Sequence, residues 1–420
     1  MRIALPYGAK ETVTLEVPDQ NVYFIADRGK APALKDPIGT LRKFLKNPIG
    51  GPTLQEAVGH EDKVVIVGDD ITRPTPQNII LPVLLDELNS AGVPDDNIQV
   101  IIALATHREM SEKEIKEKYG DEVVERVPVI NHDLRKCINM GRTETGIPIS
   151  VNKDVCNADF VIGVGNIVPH CIAGWGGGGK IIQPGVCGEE TTAATHVIGS
   201  KVRPIKRLIG RLDHQIRKEI DEIALKVGLK LIVNTILNQE DKISQVVVGD
   251  PVKAFRQGVR EAEKTYCSKV PGLADIIVVS SYPADIDYWQ ATKALTYAST
   301  VVKKGGTIVF VTPCPERIAP THPIVKERAT LSYDENLKAI EEKEIDDLVA
   351  GSVLLVHAQI LDRAEVICYS KGLTEEDKEA LGFKSASTIE EAISMAFKTQ
   401  GNDAKVGVLK YGEILPDVAT

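Results

Sequence analysis

Phe160-Val161-Ile162-Gly163-Val164, followed by Pro169-His170-Cys171-Ile172-Ala173-Gly174-Trp175-Gly176-Gly177-Gly178-Gly179-Lys180-Ile181-Ile182-Gln183-Pro184-Gly185, is the stretch on which the reading of this chain turns. A short apolar run that ends in a glycine-rich turn reads as a buried strand whose carboxyl end brings backbone N–H groups close to an anionic ligand. This turn also delivers an amine, Lys180, and an imidazole, His170, with a second imidazole following at His196. Gly174-x4-Gly179-Lys180 meets most of a nucleotide P-loop pattern, but Ile181 stands where a Ser/Thr hydroxyl would hold magnesium. A phosphate cradle remains compatible with the loop, whereas ATP hydrolysis does not follow. The alternative is that the glycines only let strand and loop pack closely, at a high cost in backbone entropy.

Outward from this stretch, short apolar strands alternate with amphipathic helices, the pattern of an α/β protein with largely parallel sheets flanked by helices. Strands are predicted at Val64–Val67, Ile98–Ala103, Val127–Ile130, Phe160–Val164, Leu229–Val233, Ile276–Ser280, Thr307–Val311 and Glu365–Tyr369. Helices are predicted at Asn78–Ala91, His214–Val227, Val252–Tyr266, Tyr288–Val301, Leu337–Val349 and Ile389–Phe397. At 420 residues two domains are the default. The segment Ser268–Leu273, with Pro271-Gly272, divides them into 1–270 and 271–420, the last residues being candidates to return to the first domain. Ligands of such sheets gather at strand carboxyl ends and between domains, which is where an active site is expected.

Hydrophobic residues at 43% and charged residues at 26% describe an ordinary globular protein, and a net charge of −9 argues against nucleic acid or anionic membrane as partner. The basic stretch Lys201–Lys218 reads as a solvated helix face or the flank of a phosphate site. Seven scattered cysteines without a Cys-x-x-Cys pair point to reduced thiols. With no signal pattern at the N-terminus and no apolar run of spanning length, a soluble, cytoplasmic protein is expected. No oligomeric state is read from the sequence.

Three strand ends carry the chemistry. Val64–Val67 leads into Asp69-Asp70-Ile71-Thr72-Arg73-Pro74, Ile98–Ala103 into Thr106-His107-Arg108, and the third into the His170/Lys180 loop. Taken singly, Asp70 reads as a turn residue, Arg73 as a surface ion pair and His107 as a structural histidine; their common position after apolar strands favours one shared crevice. In the second half, Asp287 and Gln290, and Gln290 and Lys293, are three apart on one helix face beside Trp289, where an amide and an ammonium suit a carboxylate ligand. The loop Pro313–Arg317 is a further candidate to face the crevice.

His170, Lys180 and His196, spaced ten and then sixteen apart (170, 180, 196) around a glycine-rich Lys-x3-Pro-Gly core, resemble the motif of nickel-dependent lactate racemases and their homologues. Asp70-x2-Arg73-Pro, Thr106-His107-Arg108 and Gln290-x2-Lys293 fall in the same order, so the resemblance runs from about residue 60 to about residue 300. It implies a racemase or epimerase that inverts C2 of a 2-hydroxy acid by reversible hydride transfer to a nickel-pincer nucleotide, with the active site between two domains. In that reading Lys180 tethers the cofactor and His196 ligates nickel. Thr72 and the glycines Gly176, Gly177, Gly178 and Gly179 bind the nucleotide. His107 and His170 are the acid/base pair, Asp70 orients Arg73 or a histidine, and Arg73, Gln290 and Lys293 hold the carboxylate beside Trp289. Cofactor-maturation proteins are the implied partners.

Asp285, Asp287 and the large Trp289 lean the substrate towards a longer or polyhydroxylated acid. Two rivals stand beside this reading. An NAD-dependent 2-hydroxy acid dehydrogenase would show Gly-x-Gly-x-x-Gly, but Val168 stands at the third glycine after Gly163-x-Gly165. A non-catalytic nickel- or nucleotide-binding protein would need neither two acid/base histidines nor a carboxylate clamp.

Overall fold

The computed structural model describes residues 1–418. One sheet runs in the order Ile243–Gly249, Leu229–Leu237, Phe160–Asn166, Val64–Asp69, Ile98–Ala103, Val129–Asn131. All neighbours are parallel except Ile243–Gly249, which returns antiparallel to Leu229–Leu237. Every residue of Val64–Asp69 and Phe160–Asn166 is buried. Val64 and Ile66 enter a core shared with Ile80, Leu84 and Leu88 of the helix Gln77–Ser90. Val65 and Val67 enter a second core with Ile223 and Phe255 on the opposite face. Burial on both faces is why these strands are unbroken apolar runs rather than alternating ones.

The second sheet is parallel throughout, in the order Lys384–Ala386, Ala364–Tyr369, Val302–Val311, Ala274–Ser280, Val406–Leu409, Val22–Ala26. Its last strand comes from the start of the chain. The antiparallel hairpin Arg2–Tyr7/Glu11–Glu16 goes with it, packing Leu5 and Leu15 against Ile276 and Val278. A division at residue 270 therefore does not hold for the first strands: they join by edge pairing, a backbone match that no side-chain pattern in Val22–Ala26 specifies. The strand Leu415–Val418 pairs with Cys267–Val270, and Leu415 packs into the core beside Val259 and Tyr266.

Three local expectations are corrected. The predicted helix Leu337–Val349 is two helices, Tyr333–Glu341 and Leu348–Arg363, separated by a turn with Lys343 at φ 61° and restarted by the Asp347 cap. Apolar spacing runs through the break because Ile345, inside the turn, packs into the same core. The strand expected at Val127–Ile130 begins two residues later, as Val129–Asn131, because the preceding helix continues to Arg126. Lys201–Lys218 is not one helix face: short turns fill it until the helix Gln215–Val227, and Arg217 is fully buried.

In each sheet the strand order reverses at one point. In the first this lies between Val64–Asp69 and Phe160–Asn166, and in the second between Ala274–Ser280 and Val406–Leu409. Connections leave such a point in opposite directions and open a crevice at the strand carboxyl ends. One cavity is bordered by Asp69, Asp70, Gly165 and Asn166 from the first sheet and by Pro283, Ala284, Gly412 and Glu413 beyond the second. Among the described residues no helix is long and apolar enough to cross a membrane.

Candidate active site

Asp69 and Asp70 close the same strand and do different work. Asp69 is walled in, accepting from Gln77 Nε2 at 2.9 Å and Thr75 Oγ1 with Lys118 Nζ at 3.3 Å, so it anchors the strand end. Asp70 turns outward. Its Oδ1 accepts from the Thr72 backbone N–H (3.0 Å) and hydroxyl (2.5 Å), and its Oδ2 meets His107 Nδ1 at 2.6 Å. Burial would raise the Asp70 pKa, but His107 and Arg73 outweigh it and hold the carboxyl well below its ordinary range. An ionised carboxylate can only accept, so His107 donates through Nδ1 and keeps its Nε2 lone pair.

That lone pair receives the Gln290 amide N–H at 2.8 Å. Gln290 sits in the first turn of the helix Tyr288–Ser299, whose cap Asp287 accepts from its backbone N–H at 2.8 Å. The other end of the amide, Oε1, accepts from Arg73 Nη1 at 3.3 Å and from Lys293 Nζ. One oxygen thus lies between a guanidinium and an ammonium, beside a basic imidazole nitrogen. Burial, then Arg73, brings the Lys293 pKa down to about 7.

The glycine loop folds as a tight turn, Gly178–Ile181, that brings Lys180 to the cavity wall. Among the described residues its amine has no hydrogen bond or ion pair, and burial followed by the charges of Arg73, Lys293 and Arg217 holds its pKa well below the usual lysine value. Gly176 and Gly177 border the cavity, while Gly178 and Gly179 do not. A Cβ at Gly178 (φ +60°) would meet Phe255 at 2.6 Å, and one at Gly179 would meet Ala224 Cβ at 2.8 Å. Close packing accounts for the run as a whole: a Cβ at Gly177 (φ +89°) would meet Ile167 Cγ1 at 2.9 Å and one at Gly176 would meet Val168 Cγ2 at 3.3 Å, while Gly178 and Gly179 let the loop settle on two helices.

His196, on the helix Glu189–Ser200, directs Nδ1 to the Thr192 carbonyl at 2.8 Å, which fixes its tautomer and leaves the Nε2 lone pair free. Burial and then Lys180 bring its pKa down to about 4. His170 is held differently. Its Nδ1 accepts from the backbone N–H groups of Ile172 (3.3 Å) and Ala173 (3.2 Å), so the neutral ring carries its proton on Nε2. Burial, then Lys180 and Lys293, lowers its pKa well below the ordinary histidine value.

Asp70, Thr72, Arg73, His107, His170, Lys180, His196, Trp289, Gln290 and Lys293 all border this one cavity of about 170 Å³. Asp285 and Asp287 do not border it. Asp285 accepts from the Gly8 backbone N–H at 3.1 Å and Asp287 caps its helix; burial pushes both up to about 6. In the Pro313–Arg317 loop, Glu316 reaches Arg108 across the crevice mouth, with contacts of 3.1 and 3.0 Å to Nε. Sequence reasoning missed Asn166, Asn234, Thr192 and Glu413, which also border the cavity. The signal for two of them was an asparagine in a buried strand, at the end of Phe160–Asn166 and within Leu229–Leu237: Asn234 Oδ1 receives the Gly178 N–H at 2.9 Å and pins the loop.

Among the described residues no three His, Cys, Asp or Glu side chains cluster to hold a metal. His196 offers one neutral imidazole donor, so any metal here takes its other donors from a bound group. The cavity fits such a group: the amine of Lys180 is free, and Asn166 Nδ2 and Thr192 Oγ1, both buried, lack partners.

These features define a two-domain α/β protein with a cavity lined by imidazoles and cations between two sheet crevices. Residues 7–207 match the lactate racemase N-terminal domain and residues 270–414 the lactate racemase C-terminal domain, so the chain belongs to the lactate racemase family. It is 30% identical over 431 residues to the lactate racemase of Lactiplantibacillus plantarum, covering 98% of each protein. It is 28% identical to the lactate racemase of Thermoanaerobacterium thermosaccharolyticum, covering 98% of this chain and 97% of the relative. The solved apoprotein structure of a lactate racemase from the latter organism superposes with a TM-score of 0.87 at 26% identity, all of both chains being covered. A crystal structure from Thermotoga maritima, at 19% identity and a TM-score of 0.73 over 93% of this chain and 100% of that one, shares the fold.

Proposed function

We propose that this protein is a cytoplasmic racemase or epimerase of 2-hydroxy carboxylic acids that works with a nickel-pincer nucleotide tethered to Lys180, supplied by dedicated maturation proteins. The observation that carries this reading is the position of Gln290 Oε1. An oxygen shared by Arg73 and Lys293, within one side chain of the His107 lone pair, stands where a substrate carboxylate oxygen would sit, with the C2 hydroxyl facing a base.

Substrate entry displaces the Gln290 contacts, and its carboxylate takes the Arg73 and Lys293 donors. His107 Nε2 then accepts the hydroxyl proton, and Asp70 stabilises the imidazolium through Nδ1. His170 offers Nε2–H to a substrate oxygen as a donor; acting as base for the other enantiomer requires its Nδ1 to release the two backbone N–H groups. Lys180, kept as a free amine, is competent for covalent attachment, and the His196 Nε2 lone pair for nickel. When bound, the cofactor supplies a pyridinium ring able to take and return hydride. Thr72, Gly176 and Gly177 line the space for the nucleotide.

The test follows an isotope at C2. Protein produced with the maturation proteins should show a cofactor-sized mass adduct that Lys180→Ala lacks. Substrate deuterated at C2 should keep its label in the inverted product, and reaction in D2O should add almost none. Solvent deuterium at C2 in the product would replace hydride transfer with proton abstraction, and full activity from unmodified Lys180 would remove the cofactor from the mechanism.

A further inference from the structure

The helix Leu348–Arg363 packs against both the helix that carries His196 and the helix that carries Gln290 and Lys293. It borders the cavity with Val349, Val353 and Val356, a single stripe at spacings of four and three, and with no charged side chain. Ile172 and Trp289 border the same cavity. Trp289 is held rigid: its ring lies flat on His322, with centroids 4.0 Å apart and planes 12° apart. His322 is held in turn by Asp347 at Nδ1 (2.7 Å) and by the Thr106 hydroxyl at Nε2 (3.1 Å). Asp347 also caps the valine helix, accepting from the Ala350 N–H at 2.9 Å.

Of the hydroxyls that border the cavity, those of Thr106 and Thr292 are engaged, while Thr192 Oγ1 and the Tyr297 hydroxyl have no partner among the described residues. Asp347, as a carboxylate, only accepts, so His322 donates through Nδ1, and the Thr106 hydroxyl is engaged with its Nε2. Thr292 donates to the Tyr288 carbonyl at 2.8 Å. Neither of these two engaged hydroxyls is left free for a substrate carboxylate or hydroxyl oxygen. A nucleotide's phosphate and ribose need polar partners, and these lie around the glycine loop, where Asn166 Nδ2 has no partner. The valine wall is left to the tail of the substrate.

We propose that the preferred substrate is a 2-hydroxy acid whose C2 substituent is an apolar chain of several carbons, aliphatic or aromatic, seated between Ile172, Trp289 and the Val349/Val353/Val356 stripe. The proposal rests on the racemase reading above. It sets aside a polyhydroxylated or dicarboxylic substrate, because Asp285 and Asp287 do not border this cavity and the helix Leu348–Arg363 contributes only valines to it.

The test is a panel of both enantiomers of lactate, 2-hydroxyisocaproate, 3-phenyllactate, malate and gluconate with the cofactor-loaded enzyme, followed by chiral chromatography. Binding of the same acids is measured alongside by calorimetry. Each carbon buried against the wall should gain about fourfold in affinity, so 2-hydroxyisocaproate, with three more than lactate, should exceed it in kcat/KM by about sixtyfold. Val353→Asp should cut that ratio at least tenfold, and Val353→Phe, which fills the pocket, should move it towards lactate. Intact mass and thermal unfolding establish loading and folding of both variants. A preference for lactate, malate or gluconate overturns the proposal, as does a selectivity ratio unmoved by both substitutions. If no acid is inverted the racemase reading fails instead, and calorimetry decides: 2-hydroxyisocaproate binding no better than lactate overturns the apolar pocket on its own.

Discussion

Lys180 and Lys293 are amines held in a site that disfavours their charge, and the consequences differ. A lysine with a depressed folded-state pKa binds fewer protons folded than unfolded, so stability rises with pH between the folded and unfolded values. For Lys293 that window runs from about 7 towards the ordinary 10.5, and Lys180 acts in the same direction. Apoprotein should therefore gain stability from pH 7 to pH 10, and Lys180→Met should raise it by about 1–3 kcal/mol at pH 7, with a smaller gain at pH 10. Urea unfolding at the two pH values checks this; an unchanged or lowered midpoint at pH 7 would mean the amine is not desolvated. For the proposed catalysis the sign reverses, because the Lys293 ammonium would be the form that holds a substrate carboxylate. In the free enzyme kcat/KM should fall above pH 7 as that charge is lost. Lys293→Met should lower kcat/KM by about a hundredfold at pH 6.5, corresponding to about 2–3 kcal/mol, and flatten the alkaline limb. A limb that persists in the variant belongs to another group.

The strand ends and the glycine turn show how far elements can be read from residues. Asp70, Arg73, His107 and the His170/Lys180 loop were legible because each follows an apolar run, and a parallel sheet brings the ends of such runs together whatever the loops do. Gln290 and Lys293 were legible as a face of one helix. What was not legible is what the remaining glycines touch. Nothing in Gly176–Gly179 separates the two that border the cavity from the two that lie on Phe255 and Ala224, since the contacts come from helices far along the chain. The break before Leu348 and the valine stripe after it were hidden for a related reason: Ile345 keeps the apolar spacing going through a turn. The glycine assignment is testable. Gly178→Ala adds a methyl 2.6 Å from the Phe255 ring at positive φ, so it should cost about 2–4 kcal/mol in unfolding free energy and impair attachment at Lys180. Wild-type stability together with full loading would show that the loop has slack.

The site exists only while the two halves are closed on one another. Thr106–His322, His107–Gln290 and Arg73–Gln290 all join first-sheet loops to second-sheet elements, and each lies at the cavity. Buried Arg28 adds another join behind it, bonding to Asp241 at 2.8 Å and to Glu413 while lying over the Tyr411 ring at 4.3 Å. At the mouth, Arg108 grips Glu316 with its guanidinium and shares it with Glu114 on its own side. In the proposed function a cofactor and a substrate would enter at this mouth, and of these joins the Arg108–Glu316 pair has the most exposed charges, with side-chain exposures of 34% and 27%. An exposed pair is weak and screened by salt, whereas the buried Arg28 cluster is not. Opening should therefore pivot on the Arg28 side and be gated at Arg108–Glu316. Glu316→Gln should weaken closure without touching the His107–Asp70 pair: KM rises about three- to tenfold, kcat falls less, and the salt dependence of kcat/KM shrinks. Small-angle scattering should show a larger radius of gyration for the variant than for the wild type at low salt, and the wild type should expand towards the variant's value in high salt. If Glu316→Gln leaves both KM and the scattering profile unchanged, the mouth is held by the cavity contacts themselves. The displaced Gln290 amide would then gate entry.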